Sequence, residues 1–175
     1  SRGLGDVYKR QDVDNIIRIG SAGAFDDDLN LMDIVLGMGS CTDSNFAAQY
    51  NLPGIYAPIA DFTLLKTAYD VAEEKHFSVK VGNVLASDVF YNDDTTVNDR
   101  WKKMGVLAVD MESAALYMTA ARCRKHALTI LTISDHLYRG EKLSAHERQT
   151  GFTNMMETAL ETAVRLQNNR QMEAL

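Results

Sequence analysis

The residues best suited to catalysis lie where an apolar run, Ala127 to Ile133, ends in the polar pair Ser134-Asp135. This pattern predicts a buried strand whose end presents the carboxylic acid of Asp135 at the edge of a sheet. Arg148 follows on the next predicted helix. Burial favours the protonated form of an acid and a nearby arginine favours the ionised form, so an approaching Arg148 would drive a proton from Asp135 to a leaving group. The alternative interpretation is a strand-end aspartate that starts a turn.

The glycine-rich segment GSAGA, residues 20–24, follows the short apolar run 13–19. Small residues after a strand let backbone N–H groups approach an anion, and Ser21 adds a hydroxyl donor. Arg18 supplies a cation, and the alternation of a strand puts its side chain on the same face as Gly20. The segment therefore predicts a phosphate site, with a tight turn and a surface arginine as the alternative.

Two further segments suit the recognition of a sugar and of a flat base. Asp110-Met111-Glu112 lies where a predicted strand meets a helix, and Glu112 is able to accept two hydrogen bonds from vicinal hydroxyls. The alternative is a pair of acids favoured by the helix dipole. Phe90-Tyr91 offers an aromatic wall for stacking, with ordinary core aromatics as the alternative.

These residues need a sheet and helices to position them. Hydrophobic patterns predict strands at 13–19, 32–38, 77–86, 106–109 and 126–133, and helices at 61–76, from 110 and from 144. Asp61 and Asp110 are predicted to cap the first two helices. The predicted apolar face of the first helix is Leu64, Leu65, Ala68, Val71 and Ala72. Ser144 and Glu147 form the capping box of the last helix, whose predicted apolar stripe is Phe152, Met155, Met156, Ala159, Leu160 and Ala163. The alternation of strands and helices predicts an α/β layered domain with a mainly parallel or mixed sheet.

One domain, residues 12–170, accounts for most of the 175 residues. We interpret residues 1–11 as a tail, hypothesise that they are not native to the protein, and interpret 171–175 as a C-terminal tail. The chain starts without methionine, which leads us to expect a fragment that lacks its true beginning.

Composition limits the classes of partner. The net charge of −6 argues against nucleic acid or an anionic membrane as the main partner. No apolar run approaches the roughly 18 residues of a spanning helix, and we see no signal peptide. Cys41 and Cys123 lack metal-like spacing and are interpreted as free thiols in a reducing cytoplasm. The sequence contains no metal-ligand cluster or dinucleotide fingerprint, and His126, His136 and His146 are interpreted as structural.

Four ordered runs, IIRIGSAGAF, GNVLASDVFY, GVLAVDMESAALY and LTISDHL…ERQT, together resemble the bacterial hexameric (DeoD-type) purine nucleoside phosphorylases over about residues 13–166. The resemblance implies a three-layer phosphorylase/hydrolase-like fold, a central mixed sheet flanked by helices, here without its N-terminal strands. It implies phosphorolysis of purine ribo- and deoxyribonucleosides to a free base and a pentose 1-phosphate. Phosphate is then a co-substrate, no cofactor is needed, and the expected assembly is a homohexamer, a trimer of dimers.

The resemblance also implies a role for each site residue. Asp135 becomes the acid at purine N7, and Arg148 its partner on a helix that moves during closure. The remaining expected contacts are Arg18, Ser21 and Gly20 with phosphate, Glu112 and Met111 with ribose, and Phe90, Val109 and Ser134 with the base.

Two departures from the family pattern leave alternatives open. Asp110 stands where the family usually has glutamate. The resemblance also leads us to expect that this chain lacks an N-terminal portion, which in the family carries a phosphate loop and completes a neighbour's site. Its absence predicts an incomplete phosphate site, an exposed sheet edge and exposed apolar surface. A nucleosidase of the same superfamily that uses water, and a non-catalytic purine-binding or assembly fragment, remain alternatives. A uridine phosphorylase is disfavoured because a pyrimidine has no N7 for Asp135.

Overall fold

The computed structural model describes residues 13–90 and 92–173, with side chains up to residue 169. Its strands are β1 Asn15–Ala24, β2 Ile34–Thr42, β3 Val79–Ala86, β4 Ala108–Asp110, β5 His126–His136 and β6 Glu141–Lys142. Its helices are α1 Phe62–Glu74, α2 Val97–Lys103, α3 Ser113–Arg122, α4 Ala145–Thr150 and α5 Thr153–Glu173, with a 3₁₀ helix at Phe46–Tyr50. Every strand predicted from the sequence is present, and most extend further toward their C-terminal ends than predicted.

The strands form one mixed sheet in the order β1-β4-β3-β2-β5-β6. Because β1 also pairs with β5, the first five strands close into a ring. The pairs β1–β5, β2–β3 and β3–β4 are parallel, whereas β1–β4, β2–β5 and β5–β6 are antiparallel. The prediction of an α/β domain with a mixed sheet flanked by helices is confirmed.

Strand β5 runs through the centre of the core, which explains its continuous apolar sequence. Leu131 and Ile133 pack in one cluster with residues of β1, β2 and β3, whereas Leu128 and Ile130 face a second cluster beneath helices α1 and α5. A strand covered on both faces shows a run of apolar residues rather than alternation. This burial holds the strand's polar end, Asp135, in a fixed place.

Helix α1 follows its sequence signals closely. The Asp61 carboxylate accepts the N–H of Leu64 at 2.9 Å, so Asp61 caps the helix as predicted. Such a cap contributes about 1 kcal/mol to helix stability. The predicted apolar face is also confirmed, because Leu64, Leu65, Ala68, Val71 and Ala72 are buried.

The predicted last helix is two helices, so that part of the prediction is wrong. The capping box of Ser144 and Glu147 is present, but it begins the six-residue helix α4, which ends before Gly151. The apolar stripe lies on the separate helix α5, where Met155 is buried but the Leu160 side chain is 69% exposed. The buried face of α5 instead includes Thr158 and Thr162, whose hydroxyls donate to carbonyls one turn earlier.

An apolar groove of about 830 Å³ runs between β1 and α5, lined by Ile17, Ile19, Leu160 and Ala163 among others. Strand β1 pairs with β5 along its length, but with β4 only at Gly23 and Ala24. The earlier part of β1 thus has one edge without a neighbouring strand among the described residues. The groove and this edge agree with the exposed apolar surface expected from the sequence.

Within the described residues, no helix has the length and apolarity needed to cross a membrane.

Candidate active site

The candidate site is organised around Gly23, where three strands meet. Gly23 pairs with Val109 of β4 on one side and with Asp135 of β5 on the other. The next residue of β4, Asp110, pairs with Ala86 at the end of β3. The polar ends of β4 and β5 therefore lie at one level of the sheet, although they are separated in sequence.

Asp135 is the penultimate residue of β5, and its side chain is about a third exposed. The Ser134 hydroxyl donates to Asp135 Oδ1 at 2.7 Å, while Ser134 itself is buried. A Cβ at Gly23 would lie 3.1 Å from Asp135 Oδ2, so the glycine leaves room for the carboxylate. The strand thus presents a carboxyl group that is oriented by a neighbour and open to a ligand.

Arg148 lies on helix α4 and faces this acid. Its Nη2 is 3.9 Å from Asp135 Oδ1, and its Nε donates to the carbonyl of Leu143 at 3.3 Å. At this distance and exposure the charge pair contributes little to stability. A small movement of the short helix would bring the guanidinium into hydrogen-bonding range and stabilise the ionised carboxylate.

Arg18 lies between two carboxylates. Its Nη1 is 3.1 Å from Asp110 Oδ2, and its Nη2 donates to Glu112 Oε2. A Cβ at Gly20 would be 2.9 Å from Nη1 and 3.1 Å from Cζ of Arg18, so the guanidinium lies directly against the backbone of Gly20. The prediction that Arg18 and Gly20 share a face of the strand is confirmed.

The segment 20–24 is part of β1, so the predicted end of this strand at residue 19 is wrong. Its residues continue the parallel pairing with β5, with a bulge between Ala22 and Gly23. Gly20 and Gly23 provide space for the side chains of Arg18 and Asp135, which the sequence alone does not reveal. Ser21 is exposed, and three residues along a regular strand put its side chain on the face opposite to that of Arg18.

Asp110 is buried and fully satisfied. Its Oδ1 accepts the Ser113 hydroxyl at 2.6 Å and its Oδ2 accepts the Ser113 N–H at 3.1 Å. Burial raises the pKa of Asp110, and the bond from Ser113 and the charge of Arg18 offset only part of that effect. Helix α3 begins at Ser113, three residues later than the predicted Asp110 cap, yet the Asp110 carboxylate still accepts the N–H of its first residue.

Glu112 and Met111 project from the turn between β4 and α3. The Glu112 side chain is 56% exposed and Met111 is also exposed. An exposed carboxylate beside Arg18 is accessible to the hydroxyls of a sugar. The turn therefore places a candidate ribose contact next to the candidate phosphate contact.

The candidate base contacts are spread over three elements. Val109 is half-buried in β4, Ser134 is buried beneath Asp135, and Phe90 is 74% exposed in the loop after β3. That loop starts beside the site, because the Ser87 N–H donates to the carbonyl of Asp110 at 3.0 Å. Tyr91, the second half of the predicted aromatic wall, lies outside the described residues.

Two serines of the site were not predicted. Ser113 supports Asp110, and its hydroxyl lies 2.8 Å from the buried hydroxyl of Ser40 on β2. The sequence did contain a local signal for Ser113, because an aspartate commonly forms a hydrogen bond with a residue three positions later. No local signal marks Ser40, which is 73 residues from its partner.

His136 supports the loop after β5, with Nε2 3.2 Å from the Asp26 carbonyl and Nδ1 3.3 Å from the N–H groups of Tyr138 and Arg139. These backbone contacts agree with the structural role predicted for His136. In the part of the chain that the structure describes, no three His, Cys, Asp or Glu residues are grouped to hold a metal ion.

Comparison with known proteins places this geometry in context. A sequence model described as the phosphorylase superfamily matches residues 6–166. The chain is 51% identical over 154 residues to a purine nucleoside phosphorylase DeoD-type of Aliivibrio salmonicida (strain LFI1238), covering 88% of this chain and 65% of that protein. It is 46% identical over 163 residues to the protein of that name from Geobacillus sp. (strain WCH70), covering 93% of this chain and 69% of that protein. The chain thus spans about two thirds of the length of these curated relatives.

Proposed function

The chain belongs to the phosphorylase superfamily, and from that membership we propose that it acts in the phosphorolysis of purine nucleosides. In this reaction inorganic phosphate attacks C1′ of a ribo- or deoxyribonucleoside, and the glycosidic bond to the purine breaks. The products are a free purine and a pentose 1-phosphate. Relatives named purine nucleoside phosphorylase support this choice, as does the arrangement of acid and arginine at the end of β5.

The observation that carries the proposal is the pair formed by Asp135 and Arg148. The acid stands at the open end of a buried strand, and the arginine faces it from a short helix at 3.9 Å. A departing purine gains negative charge in the transition state and is stabilised by protonation at N7. Approach of Arg148 would favour the ionised Asp135 and thus transfer of its proton to the base.

On the other side of the site, Arg18 and Glu112 serve the phosphate and the sugar. The cationic transition state of the pentose favours an anion below the ring, which Arg18 would hold beside the backbone of Gly20. The Ser21 side chain lies on the opposite face of β1, so we leave the predicted Ser21 contact out of this phosphate site. Glu112 would accept hydrogen bonds from the ribose hydroxyls, with Met111 against the ring. Phe90, Val109 and Ser134 complete the proposed pocket around the base.

The proposal includes an assembly and a location. We propose a homo-oligomer, a hexamer by resemblance to the family, that works in the cytoplasm with phosphate as co-substrate and without a cofactor. Size-exclusion chromatography with light scattering measures the assembly. A monomer at all concentrations would contradict this part of the proposal.

Hydrolysis is the second candidate, and one observation favours it. Asp110 and Glu112 give the surroundings of Arg18 two negative charges against one positive charge, which opposes the entry of a phosphate dianion. Water, the nucleophile of a nucleosidase, carries no net charge, so the two carboxylates do not repel it.

Purine release from inosine and adenosine, measured with and without phosphate, tests both candidates. Release that requires phosphate supports phosphorolysis, with pentose 1-phosphate as the second product. Equal release without phosphate would replace phosphorolysis by hydrolysis. No release in either condition would reject both enzymatic functions for this chain and favour a non-catalytic fragment.

A further inference from the structure

Asp110 has no assigned role in the proposed reaction, although its side chain is the most deeply buried charged group of the site. The side chain has no exposed surface, and its nearest cation is Arg18, at 3.1 Å. A buried carboxylate is costly unless it is paired and hydrogen-bonded. A carboxylate buried at this position therefore calls for a function that a neutral residue would not provide.

A buried chain of hydroxyls fixes the Asp110 carboxylate. Ser113 donates to both of its oxygens, through the hydroxyl and the backbone N–H, and Ser40 contacts the Ser113 hydroxyl at 2.8 Å. Both serines are buried. Glu112, the other acid that pairs with Arg18, is more than half exposed. The Asp110 carboxylate is therefore held in place, whereas Glu112 can leave Arg18 for another hydrogen-bond donor.

The geometry between Arg18 and Asp110 leaves a donor unused. Arg18 Nη1 is buried and has no hydrogen-bond partner among the described residues, although Asp110 Oδ2 is 3.1 Å away. Asp110 thus attracts the guanidinium through charge without occupying that N–H. A buried donor without a partner in a site for an anion is suited to an incoming oxygen.

We propose that Asp110 is a positioning residue that fixes the guanidinium of Arg18 for phosphate, supported by Ser113 and Ser40. This inference rests on the proposed phosphorolysis, in which Arg18 contacts phosphate. It also accounts for the short acid at this position, because the Ser113 hydroxyl occupies the space next to the carboxylate at 2.6 Å. A longer glutamate would have to shift either the serine or the arginine.

The first experiment follows Arg18 itself, independently of catalysis. The Nε–Hε signal of Arg18 in a ¹⁵N NMR spectrum is assigned with Arg18→Lys and compared in the parent, Asp110→Asn and Asp70→Asn. Asp70 is a matched control, because it pairs with Lys66 on the surface of α1. We expect the signal to move and broaden in Asp110→Asn and to stay in place in Asp70→Asn. An unchanged signal in Asp110→Asn would overturn the proposal.

The second experiment separates positioning from general support of the fold. Asp110→Asn should raise the KM for phosphate by about tenfold, because we expect the displacement of the guanidinium to outweigh the repulsion that the substitution removes. The KM for inosine should stay within about twofold, since the nucleoside contacts are not displaced. Asp110→Glu, which keeps the charge, should recover part of the loss. Equal losses in kcat for both variants, with the KM for phosphate unchanged, would show a purely structural role and overturn the proposal.

The two experiments also distinguish this inference from the proposed function. A parent chain without phosphate-dependent purine release, but with an Arg18 signal that depends on Asp110, contradicts phosphorolysis and leaves the positioning of Arg18 supported. A parent with such release and an Arg18 signal indifferent to Asp110 supports phosphorolysis and rejects the positioning role.

Discussion

Replacing Gly20 by alanine should displace Arg18 and weaken phosphate binding without harming the fold. The new Cβ would lie 2.9 Å from Nη1 and 3.0 Å from Nη2, whereas an ordinary contact of this kind is about 3.5 Å. The guanidinium is the end of a flexible side chain, so it must move by roughly 0.5 Å or more while the strand stays in place. Alanine is also the better residue in a strand, by about 0.5–1 kcal/mol.

The size of the effect follows from the displacement. A misplacement of about 1 Å can cost 100-fold in activity, so a shift of half that distance should cost about tenfold. We therefore expect kcat/KM for phosphate to fall by about tenfold in Gly20→Ala, equivalent to about 1.4 kcal/mol. The melting temperature should remain within a few degrees of the parent, since ΔΔG of about 1 kcal/mol shifts Tm by only about 2–4 °C in a chain of this length.

The assay is purine release from inosine over a range of phosphate concentrations. Gly54→Ala is the matched control, because Gly54 is exposed and nothing lies within 4 Å of its added Cβ. The control should keep the phosphate dependence of the parent. If Gly20→Ala keeps the phosphate dependence of the parent as well, the guanidinium of Arg18 does not contact phosphate from its position against Gly20. A large loss of stability in Gly20→Ala would equally contradict the prediction, because the strand itself would then be the site of strain.

Three further substitutions test other parts of the structure. Asp135→Asn should remove most phosphorolysis of inosine and adenosine while leaving Tm nearly unchanged, and full activity would exclude Asp135 as the acid. Tyr117→Phe should cost about 1–3 kcal/mol in urea unfolding, because the buried hydroxyl donates to the Gly37 carbonyl and accepts the Thr129 N–H; a loss below 0.5 kcal/mol would contradict this. Ser144→Ala should weaken the capping box by about 1 kcal/mol and increase hydrogen exchange in α4 alone, whereas unchanged exchange there would show that packing holds the helix.

Local signals were sufficient wherever a segment's own residues decide its conformation. Helix α1 could be predicted because Asp61 caps it and its apolar residues recur at the helical period. Strand β5 could be predicted because it is buried on both faces, which requires an unbroken apolar run. The capping box at Ser144 was also visible, but the break at Gly151 was missed, although the apolar stripe starts only after it, at Phe152.

The glycine-rich segment shows what the sequence could not predict. Glycines after an apolar run favour a loop by composition, yet Gly20 and Gly23 lie inside a strand. Their reason lies in tertiary contacts, since the guanidinium of Arg18 and the carboxylate of Asp135 occupy the space where a Cβ would stand. Asp135 is more than 100 residues from Gly23 in the sequence, so no local signal marks their contact.

The charges around Arg18 link the binding of phosphate to the binding of the nucleoside. Two carboxylates share this arginine, and a phosphate dianion that approached it would meet repulsion from both. Asp110 is buried and held by Ser113, so it stays where it is. Glu112 is exposed, and ribose hydroxyls offer it other hydrogen-bond donors. A nucleoside that draws Glu112 away from Nη2 would therefore free one side of Arg18 for phosphate, and the two substrates should bind more tightly together than either does alone.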